Sequence, residues 1–171
     1  MTESPQKKPA RKPARKRAPR TLGPEKTEKI FAALAHDRPD PKTELEYSDP
    51  FTLLVAVALS AQATDVGVNK ATPALFQRFP RPEDYLGTEP SDIEPFLKTL
   101  NFWRNKSKAV HATMHMIAQD HGGEVPATME ELLELRGVAR KTANVVLGNA
   151  FGINMGVVVD THVGRISRRF G

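Results

Sequence analysis

Apolar residues recur along this chain with helical spacing, and proline, glycine and capping residues interrupt them at short intervals. From Pro24 to His36, Ile30 and Leu34 share a face with Ala32, Ala33 and Ala35 beside them. That spacing predicts a short amphipathic helix, stopped by Arg38-Pro39-Asp40-Pro41. Ser48-Asp49-Pro50 is a cap followed by proline at the first helical position, and Phe51 to Ala61 is almost wholly apolar. This predicts a buried central helix. Asp65 is the expected cap of the next helix, which carries Val68, Ala71, Leu75 and Phe79.

A short helix is expected over Arg81 to Leu86, and Thr88 or Ser91 opens another that ends near Leu100. Val110, Met114 and Ile117 form a stripe within Lys106 to Gln119, closed by Gly122-Gly123. Thr128 and Glu131 have capping-box spacing ahead of Leu132, Leu133 and Leu135. After Gly137, Lys141 to Ala150 predicts a helix and Phe151-Gly152 its end. Val157 to Val159 is β-branched but has no second strand-like run to pair with, so it is expected as a buried extended connector. A last helix follows over Thr161 to Arg169. The fold class is therefore all-α: a helical bundle without internal repeats.

Charge divides the chain in two. Residues 1–20 hold Lys7, Lys8, Arg11, Lys12, Arg15, Lys16, Arg17 and Arg20 against Glu3 alone. The whole chain is only +5, so the remainder is slightly acidic. Pro5, Pro9, Pro13 and Pro19 block a continuous helix there, and there is little apolar surface to bury. Residues 1–23 are expected to be a disordered basic tail, and 24–171 the folded domain. The tail lacks the apolar run of a secretory signal, and its prolines disfavour an amphipathic presequence. A nuclear localisation cluster, a solubilising extension and an electrostatic tether to nucleic acid all fit its composition. With no cysteine, disulfides and thiolate metal sites are excluded, as suits an intracellular protein. No apolar run is long enough to span a bilayer, and no membrane partner is expected.

The candidate chemistry sits near the end. In Leu135-Arg136-Gly137-Val138-Ala139-Arg140-Lys141-Thr142-Ala143, a helix end meets a glycine turn and a new helix start. Outward N–H groups and a positive helix terminus at such a turn make an anion site, although Gly137 alone fits an ordinary corner equally well. A lysine amine attacks carbon only when neutral. A candidate nucleophile therefore belongs beside positive charge and in a partly buried setting, as expected for Lys141 next to Arg140 and a helix N-terminus. Asp160, in Val157-Val158-Val159-Asp160-Thr161-His162, is placed either to handle a proton, to stabilise positive charge on a sugar, or to cap the last helix.

These two stretches resemble the helix-hairpin-helix DNA glycosylases, and within them the endonuclease III branch, with its L-P-G-V-G-x-K-T-A hairpin and following V-D-T-H. The resemblance extends over roughly residues 26–170 and includes Leu59-Ser60-Ala61-Gln62-Ala63-Thr64-Asp65 and Asn69-Lys70-Ala71. It implies Lys141 as the Schiff-base nucleophile and Asp160 as the catalytic carboxylate. It implies further that Gln62 fills the gap left by a flipped nucleotide, that Phe102 is an apolar wedge, and that Ser60 touches the flipped base. Arg136, Gly137, Val138, Ala139, Arg140 and Thr142 then form the DNA-binding hairpin, and His162 makes either a phosphate contact or an orienting hydrogen bond. Trp103 is expected in the core.

Three departures accompany the resemblance. Arg136 stands in place of the usual proline. Ala139 stands in place of the second hairpin glycine, which calls for a right-handed conformation or mild strain. The family carries a [4Fe–4S] cluster on a C-terminal segment with four cysteines, and this sequence ends at Gly171 without one. The expectation is a chain truncated before the iron–sulfur lobe, with neither a cofactor nor a metal of its own. As a whole, the resemblance implies a monomeric base-excision repair enzyme: a DNA N-glycosylase for oxidised pyrimidines with AP lyase activity. Its partner would be duplex DNA bearing damaged bases or abasic sites, in the cytoplasm at the nucleoid, or in the nucleus of a eukaryote. A non-catalytic DNA-binding hairpin module is the other reading.

Overall fold

The protein, described here by a computed structural model over residues 22–170, is helical throughout that range. The basic tail lies outside the described residues except for its last two positions. The helices are α1 (Pro24–Asp37), α2 (Pro50–Ser60), α3 (Asp65–Arg78), α4 (Pro90–Leu97), α5 (Trp103–Asp120), α6 (Met129–Glu134), α7 (Arg140–Ala150) and α8 (Thr161–Phe170), with a single 3₁₀ turn at Pro82–Tyr85.

The core is built around α2. The Asp49 side chain accepts from the Thr52 N–H (2.8 Å), and Thr52 Oγ1 accepts from the Asp49 N–H (3.1 Å), so the helix start is satisfied reciprocally. Phe51, Leu53, Leu54, Val55, Val57 and Leu59 are all buried, because α2 is apolar on every side and α3, α5 and α7 pack around it. Helix α4 lies on α5 and α3, and α6 on α7. The Val110, Met114 and Ile117 stripe of α5 is buried as its spacing predicts.

Several boundaries differ from expectation. Thr64, not Asp65, caps α3, accepting from the Gly67 N–H at 3.2 Å, while Asp65 joins the first turn. Helix α4 is entered from Glu89, whose N–H donates to Asp92 Oδ2 (2.9 Å), not from Thr88 or Ser91. Helix α5 starts at Trp103, three residues earlier than the expected Lys106, because the Phe102 carbonyl already accepts the first helical bond from the Lys106 N–H (3.0 Å). The connector Val157–Val159 is extended but not buried: Val157 is 76% and Val159 59% exposed, since no described element covers it. Helix α1 forms as its period predicts, yet Phe31 and Leu34 stay exposed and none of its residues is buried.

Candidate active site

The C-terminal end of α2, the hairpin and α8 converge on one cleft of about 860 Å³. Ser60, Gln62, Lys141, Asp160, His162, Arg165 and Arg168 all line it. Residues as far apart in sequence as Ser60 and Arg168 thus face a common space.

The hairpin supplies one wall. Gly137 has φ +83°, a conformation that side chains strain to adopt, and it turns the chain from α6 into α7. The Arg136 carbonyl accepts from Thr113 Oγ1 (2.5 Å) on α5, which anchors the turn to the bundle. Ala139 is extended (φ −100°, ψ 167°), so alanine sits there without left-handed strain. It offers no side-chain cap, leaving the first N–H groups of α7, at Arg140, Lys141 and Thr142, facing outward without one. Val138 plays a different part. Its side chain is buried and its N–H donates to the Leu135 carbonyl (3.1 Å), closing the turn instead of presenting a donor. Arg136 and Arg140 are exposed beside the open amides.

Lys141 is exposed at the start of α7, not partly buried. Asp160 stands opposite at the start of α8. Its Oδ1 accepts from the Val163 N–H at 2.7 Å, and its carbonyl accepts from Gly164 (2.9 Å), so it caps the helix while facing the cleft. The Val163 N–H, then the His162 N–H, the His162 ring and the Lys141 ammonium hold its carboxyl below the ordinary carboxylate range, against a smaller effect of burial. Among the described residues the only ion pairs are Lys29–Glu25 and Lys42–Asp40. Lys141 and Asp160 therefore share the cleft without closing on each other, leaving room between amine and carboxylate. Ser60 reaches the same space, although its hydroxyl donates to the Val57 carbonyl (2.9 Å). His162 is exposed, with Nδ1 3.4 Å from the Arg165 guanidinium.

The remaining two site residues share an uncommon backbone. Gln62 (φ 55°) and Phe102 (φ 57°) are the non-glycine residues with positive φ among those described. Such positions cost about 1–3 kcal/mol and persist where the surroundings impose them. Here Asn101 Nδ2 donates to the Gln62 carbonyl (3.2 Å), tying the two strained loops together. Phe102 is 62% exposed. Both line a second cavity of about 340 Å³ with Lys106, Arg136 and Gly137, and Gln62 lies between the two spaces.

Sequence reasoning missed Asn101, Arg165, Arg168 and Lys106. The arginines lie three residues apart, a helical spacing that places both on one face of α8, the face that lines the cleft. Lys106 carries no such signal. Its Nζ is buried without a hydrogen-bond partner, and burial pushes its pKa down. Trp103 packs against the core, with the Arg104 guanidinium 4.1 Å from its ring centroid.

An all-α bundle that turns on Gly137 into an uncapped helix start, and brings a lysine and a carboxylate to one cleft, has the architecture of a helix-hairpin-helix protein. Comparison with known proteins gives the family: the chain belongs to the HhH-GPD superfamily of base excision DNA repair proteins, whose family model matches residues 55–171. It is 50% identical over 133 residues to endonuclease III of Bacillus subtilis, covering 78% of this chain and 60% of that one. It is 48% identical over 147 residues to endonuclease III of Synechocystis, covering 86% and 67%. Among solved structures it is similar to a trapped endonuclease III–DNA covalent intermediate, an estranged-adenine complex. There the TM-score is 0.80 and the identity 39%, over 86% of this chain and 68% of that one. The chain thus spans about 60–67% of the length of these curated relatives.

The residues present do not suit the iron–sulfur cluster that the resemblance implies for a full-length member. The chain has no cysteine, and no group of three or more acidic or histidine side chains among the described residues could hold a metal ion.

Proposed function

We propose that this chain is a bifunctional DNA N-glycosylase of base excision repair, which removes oxidised pyrimidines and then cuts the strand as an AP lyase. The observation that carries the reading is the shared cleft of Lys141 and Asp160, with Gln62 at its edge. The outward amides of α7, with Arg136 and Arg140, hold backbone phosphates. Gln62 and Phe102 enter the stack and keep the damaged nucleotide flipped into the cleft, beside Ser60. The Lys141 amine attacks C1′ and gives up a proton to water, while the C1′–N bond breaks with its electron pair leaving on the base, which takes up a proton from water. The remaining amine proton passes to O4′ as the C1′–O4′ bond breaks, which opens the sugar ring and gives an imine. Loss of a C2′ proton then expels the 3′ phosphate as the C3′–O bond breaks.

Asp160 acts in this scheme through its charge. A carboxyl held below its ordinary range is a poor proton acceptor but remains ionised. That suits stabilisation of the cationic sugar as the base departs more than removal of a proton from the amine. The enzyme works as a monomer on duplex DNA carrying damaged bases or abasic sites, in the cytoplasm beside the chromosome.

The test is single-turnover release of an oxidised pyrimidine from a defined duplex by the 171-residue chain. Base release followed by incision is the expected result. Tight binding without release would favour a DNA-binding hairpin module, since the uncapped start of α7 with Arg136 and Arg140 can hold phosphates without any chemistry at Lys141.

A further inference from the structure

The chain leaves α2 through a tight turn over Ser60 to Ala63. Ala61 has φ −56° and ψ 114°, Gln62 has φ 55°, and the Ala63 N–H donates to the Ser60 carbonyl at 3.0 Å. These are the marks of a type II turn, whose third position favours glycine because the backbone there is left-handed. Glutamine occupies it and carries a strain that glycine would not. The loop ahead of α5 is held differently. The Phe102 carbonyl accepts from the Lys106 N–H at 3.0 Å, which fixes this second left-handed residue to the start of an 18-residue helix. Phe102 is thus the anchored member of the pair.

Asn101 joins the two loops. Its Nδ2 donates to the Gln62 carbonyl at 3.2 Å, across 39 positions of sequence. Asn101, Gln62 and Phe102 are all exposed. A hydrogen bond in such a place competes with water and adds little to the stability of the fold. What it does fix is the placement of Gln62 relative to Phe102, and both of these residues line the same cavity.

We propose that Asn101 is a positioning residue, which holds Gln62 against the anchored Phe102 so that the two side chains enter the duplex as one two-pronged wedge. This role rests on the reading that Gln62 fills the gap left by the flipped nucleotide. Asn101 acts only through the Gln62 carbonyl. Without its bond the Gln62 loop is less constrained, and its side chain must be ordered at the moment of insertion. That ordering weakens flipping of the nucleotide and leaves the reaction at Lys141 untouched.

The experiment compares the parent chain with Asn101→Ala, Gln62→Ala and the double variant. One duplex carries 2-aminopurine opposite an uncleavable abasic-site analogue, where fluorescence rises as the stack opens. A second carries an oxidised pyrimidine for single-turnover base release at subsaturating enzyme. In Asn101→Ala the protein concentration giving half the fluorescence rise should increase, and base release should slow, each by about 3- to 10-fold, the range of one hydrogen bond of ordinary net strength. Its urea midpoint should match that of the parent. In the Gln62→Ala background, adding Asn101→Ala should change either quantity by less than about twofold, because no amide remains to be placed.

An equal loss from Asn101→Ala in both backgrounds would overturn the proposal, since Asn101 would then touch DNA itself or support the fold in general. Parent-like behaviour of Asn101→Ala beside a clear loss in Gln62→Ala would also overturn it, leaving the role of Gln62 standing. If Gln62→Ala itself behaves as the parent does, the wedge reading fails and the role of Asn101 fails with it.

Discussion

Replacing Gln62 separates the backbone strain at the site from the work of its side chain. Gln62 sits at φ 55°, and a left-handed conformation costs an L-residue about 1–2 kcal/mol. Glycine removes that cost but loses about 0.5–1 kcal/mol through its larger unfolded-state entropy. Gln62→Gly should therefore be as stable as the parent or more stable by up to about 1.5 kcal/mol, and each 1 kcal/mol raises Tm by about 2–4 °C for a chain of this size. Gln62→Ala keeps the strain and should be near neutral. The bond from Asn101 goes to the Gln62 carbonyl, so both variants retain it. Both lose the amide proposed to occupy the vacated stack. Processing of a lesion at subsaturating enzyme should fall by a similar factor in each, about 10- to 100-fold for the loss of 1.4–2.8 kcal/mol of contacts. Urea unfolding and single-turnover kinetics on the same preparations give both quantities. A glycine variant that is clearly destabilised, or one that processes lesions at the parent rate, would refute the assignment of strain and function to this residue.

Other variants test the remaining parts of the account. Asp160→Asn should slow base release by about 10²–10⁴-fold in single-turnover assays, since a neutral amide cannot offset a cationic sugar. Because the Asp160 carboxyl is held below its ordinary range, its stabilising contribution is present above about pH 4 and is lost as pH falls through the lowered value. Acid unfolding of Asp160→Asn should lack that component, and a parent-like acid limb would contradict it. Lys106→Met removes a buried ammonium without a partner and should stabilise the fold at neutral pH by about 1–3 kcal/mol. Lys106 has a lowered folded-state pKa, so the unfolded chain binds more protons between that value and about 10.4, and parent stability rises with pH across the window. Urea midpoints from pH 7 to 10 should show that rise in the parent and not in Lys106→Met.

Much of this architecture is legible in local sequence because caps and apolar stripes are short-range signals. Asp49-Pro50 starts α2, the Thr128–Glu131 spacing starts α6, and Val110, Met114 and Ile117 face the core without knowledge of their neighbours. Lys141 and Asp160 were legible as a pair only through the motif, since nothing in their spacing of 19 residues states that α7 and α8 share a cleft. Features set by tertiary contacts were not legible. The left-handed backbones of Gln62 and Phe102 fall on residue types that give no local cue, and the Asn101 bridge that joins their two loops spans 39 positions of sequence. The exposure of Val157 and Val159 reverses what their apolarity suggests, because burial requires a covering element that local pattern cannot supply. Lys106 lies in a polar stretch, and the burial of its amine is a product of tertiary packing that local pattern does not state.

The central claim is that Lys141 forms a covalent imine with a sugar carbon in this cleft, and borohydride trapping tests it most directly. The 171-residue chain is incubated with an abasic-site duplex, reduced, and separated under denaturing conditions alongside Lys141→Gln. The account predicts a stable protein–DNA adduct with the parent chain and none with Lys141→Gln, while binding of the duplex by the variant stays within about tenfold, a difference of 1.4 kcal/mol. An adduct that persists in Lys141→Gln, or a parent chain that binds the duplex and yields no adduct, would contradict it.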